Sequence, residues 1–390
     1  MQCKGIARYA GPMQTLSVLT LGSSAGGGDW PPLVAASLAL KHRGHQIRYL
    51  ADEPLAKAVE GAGLAMTVVP AGLDLPSALQ AWEVEHAENP DAPHPLLGWA
   101  TNVLPSALEL AKSRNPDLLM CSDFTSPLGS LVRKETGIPM CVVNATYYVG
   151  PGARRSLEDD FANPALSAGF SHLIHLGDLV LHATDEEFDP PPDEVPPDHY
   201  WTGTLIWEPI QPRPTWLDEP GEPWALMTLS SHRQAGEMDL ARAAIEAMSN
   251  FPIRTLLTLA DAHSEDALGI DNERVRVETF VPHSSVLDQA ALCVAHAGHG
   301  IVAKALYFGV PMVLVPWDRD QPGVAARAEA LGVARVVRRE DLTPKSLADA
   351  IRAVLATPSY LDRARAHGAR IRANDANARV CNLIEGFLGV

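Results

Sequence analysis

With 390 residues, 46% of them hydrophobic, the chain has room for two domains of roughly 100–200 residues and enough apolar material for two cores. A formal net charge of −16 argues against a general binder of nucleic-acid backbones, so any attraction for an anionic ligand must be local. No apolar run approaches the roughly 20 residues of a membrane-spanning helix.

The start, MQCKGIARYAGPM, carries basic residues but no signal-type apolar stretch; it reads as a flexible extension, or as a start site upstream of Met13. Thr15–Leu21 is an apolar run ending at Gly22 and predicts a buried parallel strand. Pro32–Arg43 has helical spacing, with Leu33, Ala36 and Leu40 on one face; Gly44 ends it and His45–Leu50 is the next strand. Ala71–Pro105, with Trp82, His86, His94 and Trp99, does not read as a sheet element. A second strand–helix–strand unit follows at Asp117–Cys121, Gly129–Thr136 and Pro139–Asn144. This alternation predicts a doubly wound parallel sheet.

Asp189–Pro197, DPPPDEVPP, breaks regular structure, and the Pro-rich stretch Ile206–Pro223 reads as an interdomain linker. A second α/β series then begins. Strands are expected at Trp224–Leu229, Arg254–Leu259, Arg274–Glu278 and Leu292–Ala295, with helices at Met238–Ser249 and Ser284–Gln289. After the segment treated next, helices are expected at Pro344–Leu355 and at about Tyr360–Leu388. The expected division is 14–205, a linker at 206–223, 224–375, and a terminal segment at 376–390. The five cysteines show no metal-type spacing; Cys121, Cys141 and Cys293 lie in strand-like runs and read as buried thiols of a cytoplasmic protein.

Val294–Arg327 reads strand, glycine turn, helix, strand, polar loop. His296, Gly298, His299 and Gly300 sit in the first turn, Asp320 and Gln321 in the second. A glycine turn opening a helix gathers backbone N–H groups at the positive helix end, which suits a phosphate. A carboxylate and an amide at the same sheet edge suit sugar hydroxyls. The glycine-rich turn Gly22–Pro32 matches a dinucleotide fingerprint only loosely, although Asp52 after the next strand keeps an NAD-dependent oxidoreductase among the readings.

The sequence His296-Ala297-Gly298-His299-Gly300-Ile301, then Gly309-Val310-Pro311, then Asp320-Gln321-Pro322, resembles the inverting nucleotide-sugar-dependent glycosyltransferases, in their bacterial antibiotic and lipid branch. The family pattern is His-Gly-Gly-x-Gly-Thr, Gly-Val-Pro, Asp-Gln-Pro. The resemblance implies the GT-B fold, two Rossmann-like domains facing each other across a cleft, with the last helix crossing back onto the first. It implies that His296 and the N–H groups of His299, Gly300 and Ile301 hold the diphosphate, joined by Ser230 or Ser231 at a strand end. Asp320 and Gln321 would hold the donor sugar, and His283 would lie beside the nucleobase. Many relatives carry Gly-His-x-x-Pro at the first turn, with the His as base, and a subset carries Asp. Gly28-Asp29-Trp30-Pro31-Pro32 matches the Asp form, so Asp29 is the expected base, unless it only caps the helix that follows. Asp123, in the place of the Asp that orients the His of relatives, is the second choice. Ala71–Pro105 would shape the acceptor pocket, or be a surface loop with packed aromatics.

Two departures concern the nucleotide. Lys304 stands where plant-type relatives hold the ribose with Glu, and Val324 where Asn often follows the Asp-Gln pair. They leave the base open and suit a thymidine-linked deoxysugar. The expected partners are a nucleoside-diphosphate sugar as co-substrate and a largely apolar small-molecule acceptor, with no nucleic acid, metal or resident cofactor. A homodimer and a peripheral membrane contact are compatible with this. The rival readings are a sugar-nucleotide epimerase of the same fold and a catalytically silent sugar-nucleotide-binding partner protein.

Overall fold

A computed structural model of the chain describes residues 14–25, 27–89, 92, 95–148, 176–230, 236–259, 273–317 and 319–390. Two all-parallel sheets form. The first contains β1 (Ser17–Leu21), β2 (Gln46–Ala51), β3 (Ala65–Val68), β4 (Leu118–Ser122), β5 (Met140–Asn144), β6 (Leu179–His182) and β7 (His199–Trp201). Its order is β3-β2-β1-β4-β5-β6-β7. The second contains β8 (Trp224–Thr228), β9 (Arg254–Thr258), β10 (Val275–Glu278), β11 (Ala290–Ala295), β12 (Met312–Leu314) and β13 (Ala334–Val336), in the order β10-β9-β8-β11-β12-β13. Both orders reverse at the first strand of the sheet, the doubly wound arrangement that opens a crevice at the strands' C-terminal ends.

The apolar runs explain the pairing. LLMCS of β4 and MCVVN of β5 are buried at every position, as strands covered on both faces must be. One face of the first sheet packs on Leu33, Ala36 and Leu40 of α1 (Trp30–His42), and the other on Trp99, Val103 and Ala107 of a later helix. Pro residues at the start of α1 cost nothing there, because the first N–H groups of a helix have no internal partner.

Ala71–Pro105, which does not read as a sheet element, is largely helical among its described residues. After the short α2 (Glu53–Ala58), it forms α3 (Leu75–Glu88) and the first half of α4 (Leu96–Arg114). Asp74 caps α3 by accepting from the Ser77 N–H at 2.8 Å. Pro105 lies inside α4 on its exposed side, so the carbonyl it cannot serve turns toward solvent. His94 lies outside the described residues. Strands β6 and β7 are also additions; at four and three residues they are too short to carry a periodic signal.

In the second half α5 (Ser126–Thr136) of the first domain is followed by α6 (Glu237–Met248), α7 (His283–Leu287), α8 (His299–Phe308), α9 (Gln321–Ala330) and α10 (Pro344–Ala356). The expected single terminal helix is two, α11 (Pro358–Ala373) and α12 (Ala376–Leu388). Asp375 makes the break by capping α12, accepting from the Ala378 N–H at 2.9 Å. The turn lets α12 cross back: Val380, Cys381 and Ile384 join the first domain's core. Glu385 accepts from Arg43 Nη1 at 2.8 Å and from His45 Nε2 at 3.0 Å. Among the described residues no helix is long and apolar enough to cross a membrane.

Candidate active site

The C-terminal ends of β1 and β4 place two carboxylates side by side in the first domain. Asp29 stands at the N-cap position of α1 but makes no capping hydrogen bond. Its Oδ2 instead accepts from the Ser122 hydroxyl at 2.5 Å. Its Oδ1 is buried and has no partner. Burial pushes the Asp29 carboxyl up to about 6, against the Ser122 hydrogen bond, which favours the charged form. Asp123 also keeps a buried Oδ1 without a partner. Burial, then the charges of Asp29 and of Asp320 in the other domain, push it up to about 7. Asp123 therefore feels the charge of carboxylates from both domains.

Asp52, the acidic residue a dinucleotide site would need, is spent within the first turn. It accepts from Ser23 Oγ at 2.7 Å and the Ser24 N–H at 2.8 Å, and caps α2 through the Leu55 N–H at 2.9 Å.

In the second domain β11 delivers His296, and Gly298 is the N-cap of α8 without a side chain to cap it. The N–H groups of His299, Gly300 and Ile301 thus open the helix with no internal acceptors. A Cβ on Gly298 would lie 2.6 Å from His296 Nε2, so the imidazole sits where it does only over a glycine. His296 is 8% exposed, and burial first, with the Arg319 charge, lowers it to about 4; the ring is neutral at physiological pH. Its Nδ1 has no hydrogen-bond partner and lies 3.8 Å from the buried Glu237, which accepts the Ser230 N–H. Ser231 lies outside the described residues.

Ala297 has φ +66°, in the left-handed region, at the position the related motif fills with glycine. That conformation costs an alanine about 1–2 kcal/mol. Ala297→Gly relieves the strain but forfeits about 0.4–1 kcal/mol of unfolded-state restriction and about 0.8 kcal/mol for the buried methyl. The terms nearly cancel, so Ala297→Gly is expected to shift stability by less than about 1 kcal/mol in a denaturant titration. Ala297→Val adds a branched Cβ to the same dihedral and overfills a fully buried position; it is expected to cost roughly 2–4 kcal/mol. Equal stability of the two variants would show that the backbone here is not strained.

His299 contributes differently from the other turn residues. Its ring packs edge-on against Phe188 at 5.7 Å, and its Nε2 lies 3.4 Å from Thr184 Oγ1, both in the first domain. Its backbone opens α8, but its side chain is an interdomain contact, lowered to about 4 by burial first.

Asp320 precedes α9, and its Oδ2 accepts from Thr146 Oγ1 of the first domain at 2.9 Å. Gln321 is buried; its Oε1 accepts the Trp317 N–H at 2.8 Å. That oxygen is occupied within its own loop, so the amide N–H groups are what Gln321 offers a hydroxyl, where the sequence allowed both roles. His283 opens α7; its Nε2 lies 3.0 Å from Thr258 Oγ1, and burial, then the Lys304 charge, lower it to about 3.

Three functional neighbours are not apparent from the sequence. Ser122 ends β4 beside Asp123, and Thr146 lies two residues beyond Asn144 at the end of β5; neither single hydroxyl carries a further signal in the sequence. Glu208 lies in the linker. It accepts from Lys304 Nζ at 2.7 Å and from the His283 and Ser284 N–H groups at 3.0 Å each. Burial works against its charge, yet the Lys304 ammonium and then His283 hold it down to about 2. Lys304 is therefore neutralised by a carboxylate from a distant part of the chain.

Residues 242–383 match the family described as erythromycin biosynthesis protein CIII-like, C-terminal domain. The chain is 23% identical over 373 residues to the NDP-glycosyltransferase YjiC of Bacillus subtilis (strain 168), covering 92% of this chain and 94% of that protein. It is 27% identical over 423 residues to O-mycaminosyltylonolide 6-deoxyallosyltransferase of Streptomyces fradiae, covering 95% and 96%. The solved glycosyltransferase of kitacinnamycin superposes with a TM-score of 0.78 at 23% identity, covering 96% of this chain and all of that one.

Proposed function

We infer that this chain, a member of the nucleotide-sugar-dependent glycosyltransferases of GT-B fold, moves a hexose or deoxyhexose from a nucleoside diphosphate to a largely apolar small-molecule hydroxyl, inverting the anomeric centre. The observation that carries the reading is the facing of two unlike half-sites. One offers an uncapped helix end, His296 and Asp320; the other offers Asp29 with a buried carboxylate oxygen that has no partner.

In this reading the α8 N–H groups and His296 take the charge that builds on the diphosphate as the anomeric C–O bond breaks. Asp29 takes the acceptor's proton as the new bond forms on the opposite face of the sugar. Asp320 and the Gln321 amide orient the sugar. No resident cofactor or metal is assigned a role, because helix-end donors and an imidazole occupy the part of a divalent cation. Nor does the reading require nucleic acid, a membrane contact or a second copy. Lys304 paired to Glu208 leaves no acidic group at residue 304 for a ribose, which favours thymidine-linked deoxysugars. A cytoplasmic setting accords with the four described cysteines, all buried thiols. A silent binding protein would have no use for an unpartnered buried carboxylate, whose desolvation is a cost without a function.

The test is a panel of UDP- and dTDP-hexoses with phenolic and macrolide acceptors, in excess EDTA, scored by heat protection and nucleoside diphosphate release. Protection by at least one donor and acceptor-dependent release are expected. Protection without release across the panel would favour the silent binding protein. Release restored only by Mg²⁺ or Mn²⁺ would contradict the metal-free arrangement.

A further inference from the structure

Around Asp29 lie two hydroxyls, 3.2 Å apart, each with a closer oxygen acceptor for its proton. Thr125 Oγ1 donates to the Leu21 carbonyl at the end of β1, at 2.7 Å. Its proton committed, the same oxygen accepts the Ser122 N–H at 3.1 Å. The Thr125 N–H in turn donates to Ser122 Oγ at 3.3 Å. Ser122 Oγ is thus already an acceptor, and its own proton points to Asp29 Oδ2 at 2.5 Å. Ser122 is 1% exposed and Thr125 is fully buried, so water cannot take over either role. One carboxylate oxygen is held and the other, Oδ1, makes no hydrogen bond of full geometry, while the nearby N–H groups of Asp29 and Trp30 add a smaller preference for the charged form.

We propose that Ser122 is the positioning residue of the base: its hydroxyl, oriented by Thr125 against β1, fixes Asp29 Oδ2 and reserves Oδ1 for the acceptor hydroxyl. This rests on the assignment of Asp29 as base. Three further carboxylates bear on the pair. Asp52 lies behind β2 and raises Asp29, while Asp123 at the end of β4 and Asp320 before α9 make up the rest of the acidic cluster. Asp52 disfavours a charged Asp29, while Asp29 and Asp320 in turn disfavour a charged Asp123. The Ser122 hydrogen bond is the largest contribution that favours a charged Asp29. Removing it raises the pH at which Asp29 gives up its proton, so the base is protonated over a wider range.

The readout is the pH dependence of kcat/KM for a phenolic acceptor, with donor affinity followed by heat protection. In Ser122→Ala the acid limb is expected to move to higher pH. Turnover near pH 7 should fall on the order of tenfold, the weight of one hydrogen bond to a charged group, with donor protection unchanged. A phenol already ionised at the assay pH needs no base and should recover most of the loss. Ser122→Cys keeps the size and a weak donor, and guards against misfolding of the Ala variant; its limb should move the same way by less. An acid limb unmoved in both variants, with Asp29→Asn inactive, overturns the role of Ser122 while leaving the base in place. Full activity of Asp29→Asn removes the premise itself.

Discussion

Asp29→Asn is expected to keep its fold and its donor affinity and to lose about 10²–10⁴-fold in turnover, or about 3–5 kcal/mol of barrier. The reason is that the side chain does not do what its sequence position suggests. A helix-capping Asp would tolerate Asn with almost no change, since Asn caps as well. Here the carboxylate makes no cap; it accepts from Ser122 and keeps Oδ1 unpaired. Asparagine preserves the volume and can still accept from Ser122, but an amide cannot take a proton from a hydroxyl. Because Asp29 is raised to about 6, the protonated acid is inert as a base, and kcat/KM is expected to fall as pH drops through that value. Full activity in Asp29→Asn would move the base to Asp123, which burial and then the Asp29 charge push up to about 7, so the acid limb of the unmutated protein would lie higher and that of Asp29→Asn would fall below it.

His296→Ala is expected to weaken donor binding and slow transfer together, with kcat/KM lower by about 10²–10³-fold, as for loss of one preorganised donor to a developing anion. The imidazole lies over Gly298 at the opening of α8, next to N–H groups with no acceptor in the helix. It is neutral well below pH 7, since burial lowers it to about 4. As a neutral imidazole it has a single N–H, and with that N–H on the diphosphate its removal should lower the rate by the same factor from pH 6 to pH 8. A loss confined to low pH would instead assign His296 a protonated role. Unchanged affinity and turnover would show that the diphosphate binds elsewhere.

The sheets were legible because parallel strands covered on both faces are unbroken apolar runs, and because glycine turns mark their C-terminal ends. Val294–Arg327 was the most legible segment: strand, turn and helix follow one another within hydrogen-bonding distance, so spacing alone fixes the geometry. What escaped depends on long-range contact. The helices α3 and α4 were hidden by prolines and mixed aromatics, whose cost is met by an Asp74 cap and an exposed Pro105. The terminal helix looked continuous because Asp375 is an ordinary helix-surface residue until it caps α12. Glu208 lies 96 residues from Lys304, and nothing local in a Pro-rich linker marks it as that lysine's partner. His299 sits inside the glycine motif, yet its side chain belongs to the interface with Thr184 and Phe188. The motif marks where the backbone opens α8 and leaves the place of the His299 side chain to the fold.

The central claim is direct displacement by an acceptor hydroxyl whose proton goes to Asp29. It is tested most directly by the anomeric configuration of the product formed from an α-linked nucleoside-diphosphate hexose, read from its proton coupling constants by NMR. A single backside attack predicts a β-glycoside throughout the time course, with none of the α-product. An α-glycoside, or a mixture fixed from the first turnover, would require two displacements or an open ion pair, and would contradict the account.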